Sequence, residues 1–219
     1  MNRTITVKGI GKYSAKPDII IITLSLSAQE MKYENAMVLA ETQITQLCDA
    51  IIPLGFKKND LKTTNFNVDT QYESRKDKDG NYKQHFAGYR VSHSLKLEFS
   101  LDTGMLVRVL GAIASCGSNP ELHIAFAIKD KDAVCAALLE DAAKNARTKA
   151  EILAHASGVS LGQLVTVDYN WGEISLVSHT EYEMTDRCMM SAPSAANIDI
   201  EPDDVDVSDT VTFIWEISE

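Results

Sequence analysis

The chain has 219 residues, 45% of them hydrophobic, and a formal net charge of −10. That length serves one large domain or two small ones, and a fold of this size buries roughly 70% of the surface its unfolded chain exposes, so a core needs no covalent or metal staple. The acidic balance excludes a basic nucleic-acid footprint. No run reaches the ~18 apolar residues of a membrane span; the isoleucine run Ile19–Ile22, for instance, stops at Thr23.

In chain order, Thr4–Lys8 alternates as a strand and runs into Gly9-Ile10-Gly11. Lys16-Pro17-Asp18 then breaks the chain, and Ile20, Ile22, Leu24, Leu26 and Ala28 form one apolar face of a second strand. From Tyr33 the apolar period becomes three and four (Ala36, Met37, Ala40, Ile44, Leu47, Cys48, Ile51), which predicts an amphipathic helix closed by Pro53 and Gly55. Phe66, Val68, Thr70 and Tyr72 alternate again. The charged stretch SRKDKDGNYK carries an Asp79-Gly80 hairpin signal, and Tyr89 to Leu101 is the returning strand.

Leu106, Val109, Leu110 and Ile113 predict a second helix ending near Gly117, and Leu122, Ile124, Phe126 and Ile128 a strand. The longest helix spans Asp132–Ser157, capped by Asp130 or Asp132 and stopped by Gly158. It holds nine alanines between Ala133 and Ala156, which would let it lie close against a sheet. Val165, Val167, Tyr169 and Trp171 alternate, residues 179–197 show no period and read as a flexible or irregular segment, and Val211–Ile217 is the last strand. Strands with one apolar face signal antiparallel pairing. The expected class is α+β, a single domain over residues 1–219, with one or more antiparallel sheets, three main helices packed on one face, and β-α-β units that hint at two halves.

The Gly9-x-Gly11 pair is not a phosphate loop. A dinucleotide site needs a third glycine and a helix after the turn, and a strand follows here. The glycines are expected in a bulge or a close backbone crossing. His93, on an apolar strand face, reads as a satisfied core or interface histidine. His85, His123, His155 and His179 form no metal-ligand pair, and Cys48, Cys116, Cys135 and Cys188 show no metal spacing and read as free thiols. No cofactor is expected.

From Glu181 onward the chain has 11 acidic residues and one basic, Arg187, which accounts for the whole net charge. The stretch DIEPDDVDVSD lacks the glycine and glutamate of a calcium loop, at Asp204 and Thr210. It reads as a solvated edge, with weak divalent binding or docking on a basic patch of another subunit as alternatives. Met184, Cys188, Met189 and Met190 form one unusual cluster. It is a candidate soft-metal or redox group, for Cu(I) or for oxidants, set against an adaptable patch packing on a neighbouring chain.

Taken in order, ITVKGIGKYSAKPD, the Asn35–Leu54 helix, LGFKKNDLKTTNFNVDTQYE, GYRVSHSLKLEF and AFAIKDKDAVCAALLEDAAKNARTKAEILAHASGVSLG resemble the SIMPL domain family of YggE-like proteins over nearly the whole chain. The resemblance implies a mixed α/β domain and frequent self-assembly, hence a homo-oligomer. It also implies, for bacterial relatives, a link to oxidative-stress tolerance and frequent export to the envelope. It supplies no catalytic residues. The N-terminus MNRTITV carries no signal-peptide pattern, so the expectation from sequence is a cytoplasmic, non-enzymatic protein, periplasmic or secreted if a leader has been removed.

Overall fold

The computed structural model describes residues 3–76, 82–170, 172, 174–180 and 201–219, together with Asn81 and the backbone of 182–184. The elements are β1 (Thr4–Ala15), β2 (Ile19–Glu30), α1 (Tyr33–Ile51), β3 (Leu61–Lys76), β4 (Tyr82–Ser100), α2 (Thr103–Ser115), β5 (Glu121–Ala127), α3 (Lys131–Ala156), β6 (Ser160–Asp168), β7 (Tyr182–Met184) and β8 (Val205–Ser218). They form an α+β fold of two sheets, ordered β1-β8-β6 and β3-β4-β2-β5-β7. The chain divides into two compact units. One comprises residues 1–18, 127–179 and 202–219, the other 19–126 and 180–201.

The five-stranded unit follows the order β-α-β-β-α-β. β4 lies antiparallel between β2 and β3, so the β2-α1-β3 crossover is split by β4. The β4-α2-β5 crossover is in turn split by β2. Both expected β-α-β units therefore sit in one sheet, interleaved in the ferredoxin-like manner. The inward residues of β2 (Ile20, Ile22, Leu24, Leu26) meet Leu95 and Leu97 of β4 and Ile124 and Phe126 of β5. Leu47 and Ile51 of α1 and Leu106, Val109, Leu110 and Ile113 of α2 complete this core, each full burial contributing about 1.5–3 kcal/mol. α2 starts because the Asp102 carboxylate accepts the N–H of Met105 at 2.9 Å. α1 gives way to a short 3-10 turn holding Pro53, which ends at Gly55 in the left-handed region (φ 100°).

The three-stranded unit carries α3. The helix begins where Asp130 accepts the Ala133 N–H at 2.9 Å and ends before Gly158 (φ 72°). Its buried row, Val134, Leu138, Ala142, Ala146, Ala150 and Ala154, recurs every four residues, so it forms one nearly straight ridge. Ala142, Ala146 and Ala150 pack with Val7, Val211, Phe213 and Trp215, and the last two rings stack at 5.4 Å. Leu138 and Val134 continue into a cluster with Ile128, Leu176 and Val205.

The three main helices pack on antiparallel sheet as expected: α1 and α2 cover the five-stranded sheet and α3 the three-stranded one. Two expectations are corrected. The glycine pair is not a bulge, because β1 runs unbroken from Thr4 to Ala15 and pairs with β8 without a register shift; the close backbone crossing is present, but α3 makes it rather than a paired strand. The last strand starts at Val205, six residues before Val211, because Val205 and Val207 turn inward between the aspartates. The acidic stretch thus enters the middle strand of its sheet.

Candidate functional site

The opening motif is built around α3. Built onto Gly9, a Cβ would overlap the carbonyl oxygen of Ala142 and come 2.8 Å from the Ala146 Cβ; on Gly11 it would overlap the carbonyl of Leu138. Only glycine lets the helix lie this close. At that separation the side chains of α3 reach the outer edge of β1. The N–H of Lys12 donates to Asp141 Oδ2 at 2.9 Å, the N–H of Ile10 donates to Asn145 Oδ1 at 3.0 Å, and Lys149 Nζ donates to the carbonyl of Lys8 at 3.1 Å. Asp141, Asn145 and Lys149 stand four residues apart on one helix face, and Lys8, Ile10 and Lys12 stand two apart on one strand edge. The helix therefore supplies to β1 the polar partners a neighbouring strand would supply. Pro17-Asp18 serves the same helix. Asp18 Oδ1 accepts the Lys129 N–H at 2.8 Å, and the Asp18 N–H donates to the Ala127 carbonyl at 3.0 Å, which fixes the lead into α3.

The opposite edge of this sheet differs. β6 pairs with β8 on one side and is terminal in the sheet order. Leu164, Val165 and Val167 are each about half exposed. β6 carries one charge, Asp168, at its end, and has no lysine or proline of the kind that blunts an edge. Next to this, Tyr169 donates its hydroxyl to Asp209 Oδ2 at 2.8 Å, and that hydrogen bond, with burial, pushes the phenol pKa up. On the other side of β8, a concavity of about 500 Å³ is lined by Lys12, Tyr13, Ser14, Asp206, Val207 and Ser208.

In the five-stranded unit β3 and β4 outrun their neighbour. Glu30, the last residue of β2, pairs with Tyr89, so residues 72–76 and 82–86 form a two-stranded arm. A bulge between Gln71 and Tyr72 marks its root, where Gly88 takes φ 117° against the Glu30 carbonyl. The predicted hairpin loop, residues 77–80, lies outside the described residues.

His93 is half-buried on β4, with Nε2 hydrogen-bonded to the Thr63 hydroxyl at 2.8 Å and the Phe66 ring edge-on at 5.1 Å. Burial lowers its pKa. It is a satisfied histidine, as its position on an apolar face implies. Cys48 is buried in α1, and burial raises its thiol pKa, partly countered by Lys58. Cys116 Sγ hydrogen-bonds Ser118 Oγ at 2.9 Å, and Cys135 is half-buried on α3. Cys188, Met189 and Met190 lie outside the described residues, and of Met184 only the backbone, in β7, is described. Among the described residues no group of three or more His, Cys, Asp and Glu side chains could hold a metal ion. Among the described residues no helix is long and apolar enough to cross a membrane.

These features define an α+β protein whose distinctive residues organise sheet edges. The family model named SIMPL, described as a protein of unknown function (DUF541), matches residues 5–215, and the chain belongs to that family. It is similar to a 26 kDa periplasmic immunogenic protein of Brucella melitensis, 29% identical over 163 residues, or 74% of this chain. The protein of the same name in Brucella abortus is equally similar, and the chain spans 65% of the length of both. An uncharacterized protein YggE of Edwardsiella ictaluri is 25% identical over 201 residues, covering 87% of this chain and 75% of that one.

Proposed function

We propose that this protein is a non-enzymatic, self-associating member of its family, whose part in oxidative-stress tolerance is indirect and structural. The observation that carries this reading is the asymmetry of the three-stranded sheet. The β1 edge is occupied by Asp141, Asn145 and Lys149, whereas β6 ends the sheet with Leu164, Val165 and Val167 exposed. A nearly uncharged edge strand is a template for strand addition. β6 also suits itself. β6 shifts register against β8 on either side of Leu164, and an antiparallel self-pairing about that residue leaves its one charge, Asp168, with no like charge facing it.

Light scattering or native mass measurement tests this directly. Oligomers at micromolar concentration support it, and a strict monomer overturns it. The stress role is tested by peroxide survival of a deletion strain complemented with wild type or with an assembly-deficient β6 variant. Equal rescue by both removes assembly from that role. The relatives named periplasmic favour an extracytoplasmic site of action over the cytoplasmic reading.

A redox or Cu(I)-binding role for Met184, Cys188, Met189 and Met190 is the alternative, resting on the softness of those ligands. Copper(I) titration of wild type against Cys188→Ser tests it, and identical binding discards it.

A further inference from the structure

The arm formed by the ends of β3 and β4 is an unusual object to leave in water. Two strands alone are marginally stable, yet this pair extends five residue pairs beyond the bulge, from Tyr72↔Phe86 to Lys76↔Tyr82. Its two faces differ. Tyr72, Ser74, Lys76, Tyr82, Gln84 and Phe86 share one face; Glu73, Arg75, Lys83 and His85 share the other. On the first face aromatic rings form a continuous row, with Tyr33 against Tyr89 at 5.8 Å, Tyr89 against Phe86 at 5.3 Å, and Phe86 against Tyr72 at 5.8 Å, all edge-on. At the far end Lys76 Nζ sits 5.3 Å from the Tyr82 ring centroid. Tyr72 is 58% and Tyr82 68% exposed. Cross-strand aromatic pairs hold the arm together, and the same rings present a rigid apolar surface with few rotatable bonds, the kind that anchors interfaces.

Charge selects the occupant. The described arm residues, 72–76 and 82–86, carry three bases (Arg75, Lys76, Lys83) and one acid (Glu73), a net positive surface on a chain whose total is −10. The opposite sign is concentrated at the start of β8, where Asp203, Asp204, Asp206 and Asp209 occur with no base between them. There Asp206 is exposed and lines the concavity of about 500 Å³ together with Lys12, Ser14 and Ser208. Lys76 stands beside the aromatic row, while Lys83 and Arg75, the latter ion-paired with Glu73 at 2.9 Å, stand on the arm's other face, so the arm brings rings and net positive charge to a concavity beside carboxylates. We propose that the aromatic, basic arm of one copy docks on the acidic β8 entrance of a second copy. The contact is heterologous, arm to β8, so it builds rings or chains rather than stopping at a pair. It rests on the self-association reading above and adds a second contact to the β6 edge.

The test uses the full chain and variants placed on the two surfaces. Tyr72→Ser/Phe86→Ser and Arg75→Glu/Lys76→Glu should each weaken assembly by about tenfold or more, the charge variant with circular dichroism and melting unchanged and the aromatic variant with the fold outside the arm retained. Asp203→Lys/Asp206→Lys should do the same. Mixing the Arg75→Glu/Lys76→Glu variant with the Asp203→Lys/Asp206→Lys variant should restore a contact between the two chains, read by sedimentation and by native mass of the mixed species. Variants that assemble like wild type, or a mixture with no mixed species, overturn the arm contact while leaving self-association standing. A wild type that stays monomeric removes the self-association reading itself. A wild type that binds vesicles of phosphatidylglycerol through Arg75 and Lys76, with assembly untouched by the arm variants, overturns the proposal in favour of a lipid surface.

Discussion

The main-chain N–H of Lys12 donates to the carboxylate of Asp141 at 2.9 Å, across 129 positions of sequence. A strand edge is thereby closed by a helix. The bond is possible only because Gly9 and Gly11 present no side chain to Leu138, Ala142 and Ala146. Close approach, edge closure and helix position are one arrangement, and it explains why glycine sits inside a strand, where it is ordinarily unfavourable.

The first prediction follows from that contact. Gly9→Ala and Gly11→Ala should each destabilise the protein by about 1–3 kcal/mol or more, because the atoms a methyl group would strike are backbone carbonyls that cannot rotate away. Gly111→Ala is the control. It lies in α2 with open space around it, and removing glycine from a helix interior should stabilise by about 1 kcal/mol. Urea unfolding of the three variants should give opposite signs for the same chemical change.

Asp141→Ala and Asn145→Ala test edge closure rather than packing. Each removes one acceptor from an exposed main-chain donor, so the loss of stability should be small, about 0.5–1.5 kcal/mol. The informative readout is hydrogen exchange, which should accelerate at Lys12 in the first variant and at Ile10 in the second. Unchanged exchange at both amides would mean that α3 does not protect this edge.

How much of this was legible in the sequence depends on where each residue's reason lies. α3 was readable almost to the residue, because its capping Asp130, its alanine row and its stop at Gly158 are all local. β1 was not. Gly9 and Gly11 read as a bulge or a close crossing of unknown partner, because that partner is a helix more than 120 residues away. The start of β8 was missed similarly. Asp203, Asp204, Asp206 and Asp209 mark a solvated segment by composition, and only Val205 and Val207, packed under α3 and beside Tyr13, reveal a strand. The arm was underestimated because alternation fades where both faces are exposed. The pairing of Lys76 with Tyr82 is the feature that extends the strands, and the Asp79-Gly80 signal had pointed to the turn without giving their length. Periodicity also cannot say which sheet a helix covers, so the division of the three helices emerged only from the core clusters.

The β6 edge gives the third prediction. Val165→Lys and Val167→Lys place a charge on a half-exposed strand, so monomer stability should change by no more than about 0.5 kcal/mol. Self-association should fall, because a lysine on an edge must be desolvated for another strand to pair there. Sedimentation velocity of the variants at matched concentration checks both halves, with chemical unfolding as the stability control. Unaltered assembly would move the contact away from β6.

The last prediction concerns pH. Burial holds the His93 pKa below its ordinary value of 6.5 in the folded state, and an unfolded chain has no such burial. The unfolded state therefore binds more protons between the depressed folded pKa and about 6.5, and in that window stability rises with pH. Above the window both states hold a neutral imidazole and the term is flat. As pH falls through the window the folded protein loses stability progressively, and below the folded pKa the loss is complete. Thr63 bonds Nε2 without fixing the tautomer, since its hydroxyl both donates and accepts. His93→Gln keeps a polar partner for Thr63 and removes the titration. The difference in unfolding free energy between wild type and His93→Gln should be constant above about pH 7 and should shift against the wild type as pH falls below 6.5. A difference independent of pH from 7 down to 4.5 would show that His93 titrates alike in both states and that its burial carries no proton linkage.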